Sequence, residues 1–164
     1  MANETALTNQ YSSLGVTFSG LFYETGANAF PNISAPSAVN FRNSGATTNP
    51  FLISFIQPQS QAAFGLRTNN GTSTFEALSN NSVVDTFSIV TGPSAGSNNF
   101  YGFTGVTFDA IRVTAANSFA TIDNIQFGTA TAQSVPEPFS IIGTLVGGTA
   151  AFRLRKKLAD ANKV

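Results

Sequence analysis

The side chains best equipped for chemistry in the body of this chain are its carboxylates, because the sequence contains no His and no Cys. The usual general base, the imidazole metal ligand and every thiol nucleophile are therefore absent, and a serine triad and the common nitrogen and sulfur zinc sites go with them. Two carboxylate chemistries remain open. Paired acids can hydrolyse glycosides, for which Glu24, Glu76, Asp85, Asp109 and Asp123 are the body candidates. Calcium needs oxygen ligands, which Glu24 after the first strand and Asp123 and Asn124 near the last could supply if the terminal strands pair. No EF-hand or repeat-type calcium motif accompanies them, and the simpler reading of these residues is solvated turn and strand-edge chemistry. No other cofactor is indicated. For sugars the useful equipment is aromatic faces beside neutral hydrogen-bonding groups; Tyr11, Tyr23 and Tyr101 are the only Tyr, Trp is absent, and alternating Phe reads first as core.

A different chemistry is written in the last thirty residues. Pro136, Glu137 and Pro138 are followed by an uncharged run from Phe139 to Phe152, and then by Arg153, Arg155, Lys156 and Lys157. Proline lacks an N–H and disfavours helix before it, so the chain up to Pro138 is expected to be extended and a helix to start after it. The uncharged run would span roughly 21 Å as a helix, short of a bilayer core of about 30 Å. Leu154 and Leu158 lengthen its apolar face while the basic stems reach the headgroups, so residues 139–158 are expected to form a membrane helix. A buried core helix is the competing reading, but one would rarely end in four cations within five residues. Gly143, Gly147 and Ala151 form a small-xxx-small row that lets two membrane helices approach, or else keeps one helix weakly hydrophobic.

Charge gives that helix a direction. Ahead of Phe139 stand three arginines and seven carboxylates, a net of −4; after it stand five cations and one carboxylate, a net of +4. Basic flanks stay cytoplasmic and attract anionic lipid by about 1 kcal/mol per charge, which places the acidic body outside the cytoplasm. The same −4 body has no basic stripe, so nucleic acid is not an expected partner. Export requires a leader, and Met1–Gln10 reads MANETALTNQ, with no basic patch followed by an apolar stretch. Either the export signal lies outside this sequence, upstream of its start or already removed, or the protein is not exported; a stop-transfer tail has little use without a signal, which favours the former.

The order Pro-Glu-Pro, apolar run, basic cluster resembles the PEP-CTERM sorting signal of Gram-negative bacteria, with Pro136, Glu137 and Pro138 standing at the family's motif. The resemblance covers about a fifth of the chain. It implies an exported protein, held at the inner membrane with its body in the periplasm, handled by the membrane protease exosortase, and then released to the surface or the exterior. It also implies an association with exopolysaccharide production.

The body ahead of this tail reads as strands. Residues 15–23, 38–42, 51–57, 62–68, 73–78, 83–90, 99–103, 108–114 and 120–127 are rich in β-branched and aromatic residues, divided by Gly, Pro, Asn and Ser. No body window sustains a helical period. With no Cys to staple it, the domain must be stabilised by packing, and 16 Phe are the main filling. Period two assigns Val16, Phe18, Phe51, Ile53, Phe55, Phe87, Ile89, Ile111, Val113, Ile125 and Phe127 to the core, with first and last strands close together.

The expected architecture is all-β: an antiparallel β-sandwich over 1–130, a Pro-Glu-Pro linker over 131–138, a single C-terminal transmembrane and sorting helix over 139–158, and a basic cytoplasmic tail over 159–164. The stretches LTNQYSSLGVTFSG and NFYGFTGVTFDAIRVTAANSFATIDNIQFG resemble the first and last strands of the jelly-roll domains common in PEP-CTERM proteins. The expected function is a non-catalytic cell-envelope or extracellular-matrix protein whose partners are membrane lipid and an exosortase-type protease. The alternative is a carbohydrate-binding module that holds exopolysaccharide or, more remotely, a glycan-active enzyme.

Overall fold

Phe, Val, Ile and Thr at alternating positions give strands nearly throughout the residues described by the computed structural model, which are 1–26, 30–93 and 98–129. In chain order the strands are β1 (Ala6–Leu7), β2 (Val16–Ser19), β3 (Leu21–Glu24), β4 (Ser37–Val39), β5 (Phe51–Thr68), β6 (Gly71–Ser79), β7 (Ser82–Thr91), β8 (Phe100–Thr114) and β9 (Ala120–Gly128). Two single 3-10 turns, Ser12–Leu14 and Ala116–Ser118, are the helical content of the described residues. None of these is long and apolar enough to cross a membrane. The linker, sorting helix and basic tail expected over 131–164, with their Pro-Glu-Pro motif and Gly143, Gly147 and Ala151, lie outside the described residues.

All strand pairs are antiparallel, in the order β1-β3-β4-β9-β5-β8-β6-β7, with β2 pairing β5. Two long strands carry the construction. The first part of β5 pairs β2 on one side and the end of β8 on the other; its second part pairs β9 and the start of β8. Register shifts between Ser54 and Gln61 bend this pair, so β5 and β8 each belong to two layers. The arrangement is sandwich-like, with its layers joined through these shared strands and its order ending at β1 and β7.

Register turns the sequence alternation into a core. Phe18, Ile53, Ile111 and Ala77 stand opposite one another across β2, β5, β8 and β6, and all four are buried. Phe51, Val113 and Phe75 form the adjacent row. From the other layer Phe64 reaches Phe75 at 6.3 Å between ring centres, Tyr101 reaches Phe75 at 5.2 Å, Phe103 reaches Phe87 at 5.2 Å, and Phe127 reaches Phe55 at 5.1 Å. These offset and tilted rings fill the space between layers without Trp.

The structure departs from the sequence expectations where backbone geometry intervenes. The expected strand 15–23 is split at Gly20, whose φ of +79° turns the chain so that β2 joins β5 while β3 joins β1 and β4. The expected pairs 51–57 with 62–68, and 99–103 with 108–114, are instead the continuous strands β5 and β8, because the interruptions between them are bulges rather than turns. Ile89, expected in the core, is 45% exposed: it lies on β7, at the end of the sheet order. Phe87, Ile125 and Phe127 pack against the core while staying partly accessible, and the other expected members are buried.

Candidate functional site

The groove with the richest mixture of side chains lies where β2, β3, β4 and β9 approach. Gly15, at φ +91°, ends the turn Ser12–Leu14 and returns the chain into β2, which leaves Tyr11 edge-on to Phe18 at 6.0 Å. β3 contributes Tyr23, the chain entering β4 contributes Ser37, and β9 contributes Asp123, Asn124 and Phe127. The buried side chains of Val16, Phe18 and Ile122 close the inner side of a groove of about 230 Å³. Neither phenol oxygen is hydrogen-bonded to a described residue, so both hydroxyls can serve a ligand.

A backbone irregularity builds the polar lip. Ala63 opposes Gln126 but Gly65 opposes Asp123, so β9 carries an extra residue there, and Asn124 takes φ +52° to provide it. The bulge resets the alternation, which lets Ile122 and Ile125 both contribute to the apolar side although they are three apart. On the lip, the Ser34 amide and hydroxyl donate to Asp123 Oδ2 at 2.9 and 3.1 Å, and Gln126 Nε2 donates to Asn124 Oδ1 at 3.2 Å. Beyond the lip, Phe30, Asn32, Ile33 and Ser34 line a second depression that shares Asp123 and Asn124 with the first. Its loop packs directly on β5, where any Cβ at Gly65 would overlap the Asn32 carbonyl.

The candidate calcium ligands are placed as follows. Glu24 opposes Ser37 on β4, and Ala38 opposes Ile122 on β9, so β4 stands between Glu24 and Asp123 and their backbones are roughly 10 Å apart. The Glu24 carboxylate accepts the Gly26 amide at 2.6 Å. Among the described residues no three His, Cys, Asp or Glu side chains group as a metal site. The remaining acids are likewise engaged locally: Asp85 accepts the Thr86 amide, Asp109 accepts the Asn80 amide, and Glu4 accepts the Asn43 amide.

Glu76 is held differently. Arg112, across the β6–β8 pair, donates from Nε at 2.6 Å and Nη2 at 2.9 Å in a two-pronged ion pair. Its hydrogen bonds, with its charge, hold the Glu76 carboxyl below the ordinary 4.5 despite some desolvation. A carboxylate kept ionised this way is a poor proton donor.

The sequence alone points to Tyr11, Tyr23, Asp123 and Asn124 without bringing the four together, and it gives no sign of Ser34 and Ser37. The one available signal was Asn124 itself: two isoleucines three apart around an Asn, inside an otherwise alternating strand, mark a bulge because Asn tolerates positive φ.

No protein-family model matches the chain, and no curated protein matches it. Among solved structures it is similar to the enzymatically active domain of tailspike protein 4 of bacteriophage CBA120, at 18% identity and a TM-score of 0.40 over 77% of this chain. The chain spans 21% of that structure, and a likeness at this level transfers neither family nor activity.

Proposed function

We propose that this chain is an exported, non-catalytic envelope or matrix protein: a jelly-roll-like β domain delivered and anchored by a PEP-CTERM-like tail. The observation that carries the reading is the order Pro136-Glu137-Pro138, uncharged run to Phe152, and four cations by Lys157. The body supports it by ending first, since β9 stops at Gly128, eight residues ahead of Pro136. In this reading 139–158 is a single transmembrane helix with the body on the periplasmic side. An exosortase-type protease then reaches the extended Pro-Glu-Pro segment, where no helix shields the backbone.

The test is to fuse an export signal ahead of Met1, express the chain in a host with active exosortase, and compare it with the variant carrying alanines at Pro136, Glu137 and Pro138. Wild type should lose the mass of its tail and leave the inner membrane, whereas the alanine variant should stay whole and membrane-bound. Identical mass and fractionation for the two would remove the sorting role.

A second reading has an observation of its own. Two phenols with free hydroxyls, flanked by Ser37, Asp123 and Asn124, offer a neutral sugar ring both an aromatic face and directional hydrogen bonds. Under this reading the body holds exopolysaccharide at the Tyr11–Tyr23 groove. Affinity electrophoresis in gels containing neutral polysaccharide should retard wild type, and Tyr11→Ala with Tyr23→Ala should abolish the retardation. Equal mobility of the two proteins in every polysaccharide would dismiss it.

A further inference from the structure

We propose that β7 is a self-association edge, along which two copies of this chain pair antiparallel about a two-fold axis through Phe87. Among the described residues β7 ends the sheet order and pairs only with β6, through the two-residue turn Asn80-Asn81. The opposite end is blunted, since β1 has two residues; β7 has ten. It has no Lys, Arg or Pro and a single charge, Asp85, and its one bulge, at Val84, leaves the seven residues from Asp85 to Thr91 in regular register. Val83, Val84, Ile89 and Val90 are 47%, 45%, 45% and 75% exposed, and they make up half of the exposed large hydrophobics among the described residues. Residues of this type and length suit strand addition, in which main-chain bonds bind and side chains select.

The strand itself indicates a second copy as the occupant. A two-fold axis that makes neighbouring strands antiparallel is perpendicular to the sheet and preserves its faces, so it must pass through a residue. An axis at Asp85 would oppose two carboxylates. An axis at Phe87 opposes Thr86 with Ser88 and Asp85 with Ile89, each pair occurring twice, and brings Val90 against the bulge at Val84. It also sets the two Phe87 rings beside each other on the core side, where Phe87 already stacks on Phe75 at 4.7 Å and 11°. The aromatic pair and the Thr–Ser pairs are favourable cross-strand contacts, and no like charges meet.

The full chain in detergent provides the test. Sedimentation equilibrium should give a dimer for wild type and for Gly143→Leu with Gly147→Leu, and a monomer for Val84→Lys with Val90→Lys. A wild-type monomer, or a dimer that survives the lysines, overturns the proposal, including the case in which the glycine changes alone dissociate it. Because the chain has no Cys, register can be read directly by disulfide formation. Opposed residues have Cα atoms about 4.5–5.5 Å apart, within disulfide range, whereas diagonal neighbours lie at about 7–8 Å. A mixture of Thr86→Cys and Ser88→Cys chains should therefore crosslink several-fold more than either chain alone. This holds even if the lysine variant fails to fold, and equal yields in the three samples would rule the register out.

Discussion

Arg112 and Glu76 show what a single ion pair contributes on this weakly charged surface. Their side chains are 36% and 22% exposed, so solvent screens the pair and Glu76→Gln should cost only about 0.5–1 kcal/mol. Its pH dependence has a definite sign. The folded carboxyl ionises below its ordinary 4.5, so this contribution is complete at neutral pH and is lost as pH falls through the depressed value. Urea midpoints measured from pH 7 down to pH 3 should converge for wild type and Glu76→Gln. Asp123 plays a positional part, because its carboxylate fixes the Ser34 amide and with it the loop beside the groove. Asp123→Ala should cost about 0.5–1.5 kcal/mol, because Ser34 is exposed and water can take over its amide, and thermal melts would show it as a lowered midpoint.

At the scale of elements, stability follows burial and backbone geometry. Phe75 is fully buried among Phe64, Phe87 and Tyr101, and Phe75→Ala should cost about 3–5 kcal/mol; Phe119, 39% exposed, should cost far less. Chemical denaturation of the two variants tests the contrast. Gly20 is a stricter position: at φ +79° a Cβ would stand 2.6 Å from the Thr48 methyl, so Gly20→Ala combines strain with a clash and should cost about 1–3 kcal/mol. Asn124→Gly should be tolerated while Asn124→Val costs about 1–2 kcal/mol, because a β-branched residue resists the φ of +52° that forms the bulge. The same Val change should weaken any ligand held at the Tyr11–Tyr23 groove, since the bulge sets its lip.

For the whole molecule, the proposed function has the body and the tail answer to different solvents. The body stabilises itself by packing around Phe, with no disulfide available, so its melting temperature should be unaffected by reducing agent. The tail is apolar and then basic, and in the proposed function it answers to lipid. A chain ended after Ala130 should keep the β signature of the full protein in far-UV circular dichroism, because β9 is complete at Gly128. Only the full chain should float with anionic vesicles. Equal flotation of the two would place lipid contact in the body.

How much of this was legible beforehand depends on the range of the interaction concerned. Alternation of Phe18, Ile53, Ile111 and Val113 with polar neighbours is local, and it sufficed for an all-β antiparallel body and most of its core. The absence of His and Cys, and the split of charge about Phe139, are likewise properties of the chain alone. Tertiary structure decided what depends on strand order. It separated β2 from β3 at Gly20, carried β5 and β8 through two layers, and placed β4 between Glu24 and Asp123. It left Ile89 accessible although its alternation matches that of buried strands, because period two records which face a side chain takes and not whether a neighbouring strand covers it. It also brought Tyr11, Tyr23 and Asp123 to one groove from positions a hundred residues apart, a proximity created by pairing partners that no local pattern specifies.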